Sequence, residues 1–182
     1  FIFPTGLKFN KLDLEINLEG ERSECNLQSA SFLNNNEHQE VKTRVNHLFP
    51  NCKSYQKVKN VLSAESKGVY QGKIFVKDIA QKTDAYQLSK AILLSESSEF
   101  NSKPELEIYA DDVKCSHGST SGSLDKDSIY YLMTRGLSKK ESTKILVESF
   151  LNEIIESIKS NTIRNFIKMK FEEQLQNEHK KH

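Results

Sequence analysis

Short strand-like segments begin near Leu12, Cys25, Val41, Ser54, Val69, Gln87 and Leu106, closely spaced but too irregularly for a strict repeat, with no convincing helical period between them. The clearest is Leu12-Asp13-Leu14-Glu15-Ile16-Asn17-Leu18, where apolar residues alternate with polar ones. That period of two sends every second side chain to one face of a strand. Gly20 ends this run, and the cluster Asn34-Asn35-Asn36 ends the next, which spans Cys25 to Leu33. Further strands are expected over Val41–Phe49, Ser54–Leu62, Val69–Lys77, Gln87–Ser95 and Leu106–His117. Many short strands at such spacing define a mainly β chain. A sandwich satisfies the pattern. So does a parallel β-helix, in which each coil buries only a narrow interior strip, and which would explain the Asn-rich turns and an apolar content of only 36%; strand spacing alone leaves the two open.

The character changes after Gly122. Leu124 to Arg135 reads as a short helix with Asp125 as N-cap and Gly136 as terminator. Ser138-Lys139-Lys140-Glu141 has the S-x-x-E pattern of a capping box, in which hydroxyl and carboxylate each satisfy a free backbone N–H. An apolar stripe through Ile145, Leu146, Phe150, Leu151, Ile154, Ile155 and Ile158 follows, then a second through Ile163, Phe166, Ile167, Phe171 and Leu175. The division expected is a β core over 1–122 and a helical domain over 123–182, with a polar, frayed tail from Gln176. The chain opens on Phe1-Ile2-Phe3 without Met, so the β core is expected to continue upstream.

Bulk properties exclude several classes of function. Lys and Arg number 26 against 25 Asp and Glu, for a net charge of +1, so no basic excess is available to neutralise a phosphate backbone. The three cysteines, Cys25, Cys52 and Cys115, are odd in number and far apart, which argues against a disulfide framework and for a reducing compartment. No apolar run reaches the roughly 18 to 20 residues that span a bilayer, and no basic-then-apolar leader opens the chain, so a cytoplasmic protein is expected. Gly118-Ser119-Thr120-Ser121-Gly122 lacks both the Lys of a phosphate loop and the spacing of a nucleophile elbow.

Chemistry concentrates at Cys115 and His117. If the strand from Leu106 runs unbroken, Asp111, Val113, Cys115 and His117 share a face. A thiolate beside an imidazole serves as a ligand pair for zinc or an iron-sulfur cluster, or as a nucleophile and its base. A small buried Cys next to a surface His is the plainer alternative. Cys25, Cys52, His38 and His47 lack ligand spacing, and the two cysteines read as small interior hydrophobes. His179 and His182 lie in the polar tail.

The stretch SKPELEIYADDVKCSHGST, Ser102 to Thr120, followed by Leu124-Asp125 and YYLMTRGLSKKES, resembles the C-terminal signature of the SufB/SufD family, on its SufD side. GVYQGKIFVKDIAQKTDAYQLSKAILLS, Gly68 to Ser95, is similar to the family segment that precedes it. The resemblance covers Gly68 to about Phe171; Ser119 departs from it where the family often has Ala. It implies a right-handed parallel β-helix followed by a small helical domain, in a noncatalytic scaffold subunit that pairs with a SufB-like subunit and binds a SufC-like ABC-type ATPase through its helices. It also implies that His117 sits at the subunit interface and helps hold a transient iron-sulfur cluster, with Cys115 as a neighbouring candidate ligand. One His and one Cys are too few to hold a cluster in the isolated chain. A β-helix enzyme using Cys115 or His117 for nucleophilic or acid/base catalysis is the competing expectation.

Overall fold

The protein is described by a computed structural model covering residues 1–4 and 6–178, with side chains to 175. Eight strands and three helices follow in order: β1 Phe9–Leu18, β2 Glu24–Leu33, β3 His38–His47, β4 Lys53–Leu62, β5 Lys67–Val76, β6 Asp84–Leu93, β7 Glu99–Ile108, β8 Lys114–Gly122, then α1 Lys126–Thr134, α2 Lys139–Ile155 and α3 Asn161–Glu178. Odd strands form one parallel sheet, β1-β3-β5-β7, and even strands another, β2-β4-β6-β8. Each turn of the chain therefore lays one strand in each sheet. The result is a parallel β-solenoid of about four turns, so the β-helix is the architecture adopted and the sandwich is not.

The spacing between successive strand-like segments in the sequence is a half-turn. A full turn is the step between partners within one sheet, where Phe9 stands beside His38, His38 beside Lys67 and Lys67 beside Glu99. Register is reinforced on the outer face by opposite charges placed directly across from each other. Lys11 meets Glu40 at 3.4 Å, Asp13 meets Lys42 at 3.7 Å and Lys67 meets Glu99 at 3.6 Å. Such exposed pairs contribute at most about 1 kcal/mol each. A one-residue slip would turn all of them inward, so their larger effect is on register.

Corners repeat as strictly as strands. Arg22, Asn51 and Lys82 all take left-handed backbone, with φ of 60°, 62° and 59°. The amide of each donates to the next turn: Arg22 N–H to Pro50 O at 3.3 Å, Asn51 N–H to Gln81 O at 2.9 Å, Lys82 N–H to Asp112 O at 2.6 Å. These inter-turn bonds offset the roughly 1–2 kcal/mol that left-handed backbone costs a residue with a Cβ.

Leu106 to His117 is not the single strand expected from the sequence. Strand β7 ends at Ile108, the chain turns through 109–113, and β8 begins in the other sheet at Lys114. The corner contains no Gly or Pro, and Ala110, which is buried, packs it against Ile74, Val76 and Ala80. Leu106 and Cys115 consequently lie on different sheets, although both face the same interior cluster.

The helices begin where their caps specify. The Asp125 side chain accepts from the backbone N–H groups of Asp127 and Ser128, and Gly136 beyond α1 has φ of +94°. Ser138 and Glu141 form the complete capping box. Helix α2 lies on the outer face of the even sheet. Val147, Leu151, Ile154 and Ile155 join Ala30, Phe32 and Val61 in one buried cluster, which Phe171 and Leu175 of α3 complete. Phe166, by contrast, is 54% exposed. Helix α3 continues to Glu178, and the rest of the expected polar tail, 179–182, lies outside the described residues.

An ion pair fastens α2 to the solenoid. The Lys59 ammonium, on a side chain only 4% exposed, pairs with Glu153, donates to Phe150 O at 2.8 Å and lies 4.4 Å from the centre of the Phe150 ring. Lys57 reaches the other Glu153 oxygen at 2.7 Å. Hydrogen bonds from Lys57 and Lys59 hold the Glu153 carboxyl down at about 2. Because that value lies below the usual 4.5, the stabilisation is complete above pH 4.5 and is lost as pH falls towards 2. Glu153→Gln leaves the Lys59 charge without its counter-ion. Since Glu153 is itself half exposed, the expected loss is about 1–2 kcal/mol, less than for a fully buried pair. Urea unfolding at pH 7 measures it, and the difference from wild type should shrink as pH is lowered through 4.5 towards 2.

Candidate functional site

The inward rows of the even sheet stack into columns. One runs Cys25, Ser54, Ala85, Cys115; the next runs Leu27, Gln56, Gln87, His117; a third runs Ser29, Val58, Ser89, Ser119. Cys115, His117 and Ser119 are therefore the lumen-facing row of the last rung. Strand β8 pairs with β6 on one side and is the last strand of its sheet, so among the described residues no strand pairs with its other backbone edge. His117 belongs to an interior column and is nonetheless exposed.

Cys115 and His117 share a face, as expected, but because they alternate within β8 and not because a long strand reaches back to Leu106. Residues two apart on a strand are about 6.6–6.8 Å apart along it, close enough for both side chains to converge on one object outside the rung. Their environments differ. Cys115 is half-buried against Ile74, Val76 and Ala85, and burial pushes its thiol above the ordinary 9.0. It is thus a protonated thiol at neutral pH. His117 stands in the open. Asp111 is exposed at the corner and belongs to neither row.

Among the described residues, no group of three or more His, Cys, Asp or Glu side chains gathers as a metal site. Cys52 is fully buried and Cys25 half-buried, both packed near Leu18 and Val45 as small apolar residues. His47 is fully buried, with Nε2 at 2.8 Å from Ser54 Oγ, and desolvation lowers its pKa to about 4, so it is neutral at pH 7. His38 lies on the outer face beside Glu40, at 3.2 Å.

A polar seam inside the solenoid was not anticipated from the sequence. Thr43 Oγ1 donates to Gln56 Oε1 at 2.7 Å, and the Tyr70 hydroxyl lies 3.1 Å from Thr43 Oγ1 and 3.4 Å from Gln56 Oε1. Burial raises the Tyr70 pKa to about 12. On the next rungs Gln87 Nε2 donates to Gly72 O at 3.3 Å. Ser89 Oγ donates to Ser119 Oγ at 2.9 Å, and Ser102 Oγ lies 2.7 Å from Ser89 Oγ. Since the Ser89 proton goes to Ser119, Ser102 is the donor to Ser89. Aligning the sequence turn by turn along the solenoid would have put these residues side by side.

Among the described residues, the last rung of the parallel solenoid carries a thiol and an imidazole on one face with no third ligand gathered beside them. Comparison with known proteins supplies the family. Residues 1–150 match the family model described as SUF system FeS cluster assembly, SufBD core domain. The chain is 34% identical over 147 residues to the iron-sulfur cluster assembly protein SufD of Escherichia coli, covering 81% of this chain and 35% of that protein. It is 31% identical over 153 residues to an iron-sulfur cluster assembly SufBD family protein of Synechocystis, covering 84% and 34% respectively. A chloroplastic protein of Arabidopsis thaliana, ABCI7, is 37% identical over 105 residues, 58% of this chain and 22% of that one. The chain belongs to the SufBD core family of the SUF iron-sulfur cluster assembly system, and it is SufD-like. It spans about a third of the length of the first two of these relatives. No helix among the described residues is long and apolar enough to cross a membrane.

Proposed function

We propose that the chain is part of a noncatalytic, SufD-like scaffold subunit on which an iron-sulfur cluster is built and from which it leaves. The observation that carries this reading is the exposed imidazole of His117 on the inward row of β8, the last strand of its sheet. A second subunit docked at that end would supply the missing ligands, and the cluster would be cargo held between the two. Imidazole is a weaker cluster ligand than thiolate, which suits a site that must release what it holds. The free backbone edge of β8 supports docking by strand addition, because its N–H and C=O groups have no partner strand among the described residues. A SufB-like subunit is the partner this reading assigns to that end.

The helices supply the second contact. Helix α1 buries none of its residues, and Tyr130, Tyr131 and Met133 are 70%, 58% and 43% exposed. Helix α3 exposes Ile163, Phe166 and Met169 on one side while Phe171 and Leu175 pack inward. Aromatic and Met side chains grouped in this way suit a protein partner, here a SufC-like ABC-type ATPase. The helical region from 123 onward is then the ATPase-binding part and 1–122 the scaffold core, in a cytoplasmic complex. The competing enzyme reading is weakened by Cys115, whose half-buried, protonated thiol is a poor nucleophile.

Affinity purification of the tagged full-length protein tests the assembly. Co-purification of both an ABC-type ATPase and a second SufBD-family subunit is expected, and recovery of neither would sink the reading.

A further inference from the structure

Two buried carboxamides in one column of the lumen each lack one partner. Gln56 and Gln87 stand side by side on adjacent rungs, β4 next to β6, and each is 1% exposed. Gln56 Oε1 takes the Thr43 hydroxyl at 2.7 Å, and the Gln56 amide nitrogen has no hydrogen-bond partner among the described residues. Gln87 is the reverse. Its amide nitrogen donates to Gly72 O at 3.3 Å, and its Oε1 is the end without a partner. One buried donor and one buried acceptor are thus left a rung apart, about 4.8 Å. Protein interiors rarely leave such groups unpaired. A direct amide ladder, in which each carboxamide bonds to the one stacked on it, would need both groups aligned with the solenoid axis. Each is instead turned across the lumen, Gln56 towards β3 and Gln87 towards β5.

We infer that Gln56 and Gln87 hold a single ordered water molecule between them, which accepts from the Gln56 amide and donates to Gln87 Oε1. A water making two bonds of about 2.8–2.9 Å at its tetrahedral angle spans about 4.6 Å, close to the spacing of a rung. The chemistry selects water over an ion: a cation would be repelled by the Gln56 N–H and an anion by the Gln87 oxygen, whereas water is both acceptor and donor. A third partner stands beside the pair. Since the Thr43 proton goes to Gln56, Tyr70 is the donor to Thr43, and the Tyr70 oxygen is left able to accept. That oxygen and Gln87 Cδ each lie 2.6 Å from where a Cβ on Gly72 would stand, so the two groups are neighbours. Two hydrogens given and one accepted make the roughly three bonds usual for a buried water. The water joins the Thr43–Gln56–Tyr70 group to the Gln87–Gly72 pair in one continuous seam. It also ties β4 to β6, the strand on which β8 is laid.

A crystal structure of the full-length protein, at a resolution that shows ordered water, tests the inference. A density peak about 2.7–3.2 Å from both Gln56 Nε2 and Gln87 Oε1 is expected. Direct contact between the two carboxamides, or no peak between them, overturns it. In solution, ¹⁷O magnetic relaxation dispersion counts long-lived internal waters. The Gln56→Met/Gln87→Met variant keeps the side-chain length but offers neither N–H nor carbonyl oxygen, and should hold one such water fewer than the wild type. An equal count overturns the inference as well. If the double variant does not fold, the wild-type density decides alone.

Discussion

Gly72→Ala is expected to destabilise the chain by about 2–4 kcal/mol, a methyl group having an effect out of proportion to its size. A Cβ at position 72 would lie 2.6 Å from both Gln87 Cδ and the Tyr70 hydroxyl oxygen, and nearer still to the Gln87 amide nitrogen. Neither neighbour can give way cheaply. Gln87 and Tyr70 are each 1% exposed, and Tyr70 is a rigid ring whose hydroxyl engages Thr43 and Gln56. Overpacking alone costs about 1–3 kcal/mol. Displacing Tyr70 and Gln87 would add at least one stranded buried polar group. For a chain of this size the expected fall in melting temperature is roughly 5–15 °C. Gly122→Ala is the matched control, since nothing lies within 4 Å of a Cβ there, and it should be close to neutral. Equal melting temperatures for the two variants would mean that the interior at Gly72 is looser than the structure describes.

Gly72 also shows where sequence reasoning stopped. Strand β1 was legible because one side of it faces water and alternates in hydropathy, and α2 was legible because its capping box is a local signal. Fold class and the resemblance through Ser102–Thr120 placed the β-helix and the helices correctly. The rungs themselves were hidden, because the steps between stacked strands are uneven, longer from Lys67 to Glu99 than from Phe9 to His38, and each contains two dissimilar half-turns. Left-handed corners were hidden as well: Arg22, Ala64 and Lys82 occupy positions where Gly or Asn would have announced a turn. The corner between Ile108 and Lys114 contains no Gly, Pro or Asn to mark it, and so the division of Leu106 and Cys115 between two sheets was hidden too. Buried polar residues such as Thr43, Gln56 and Gln87 look like surface residues until the register pairs them.

His117→Ala should leave the protein folded and its partners bound while lowering the cluster content of the assembled complex by more than about tenfold, the scale on which even supporting residues of metal sites act. The separation of effects follows from position. The His117 side chain is exposed at the end of the solenoid, and its removal should change stability by no more than about 0.5 kcal/mol. The backbone edge of β8, by contrast, is untouched by the substitution, so strand-edge docking should survive. Cys115→Ala makes the informative contrast. Its thiol packs with Ile74, Val76 and Ala85, so the expected cost is about 1 kcal/mol of stability, and cluster content should fall less than in His117→Ala. Iron and sulfide content measured on complexes matched for subunit stoichiometry distinguishes the cases. Normal content in His117→Ala would reduce the residue to an exposed side chain on a structural rung. A larger loss in Cys115→Ala than in His117→Ala would mean that docking draws the half-buried thiol out and ionises it, moving the main ligand of this subunit two residues along β8.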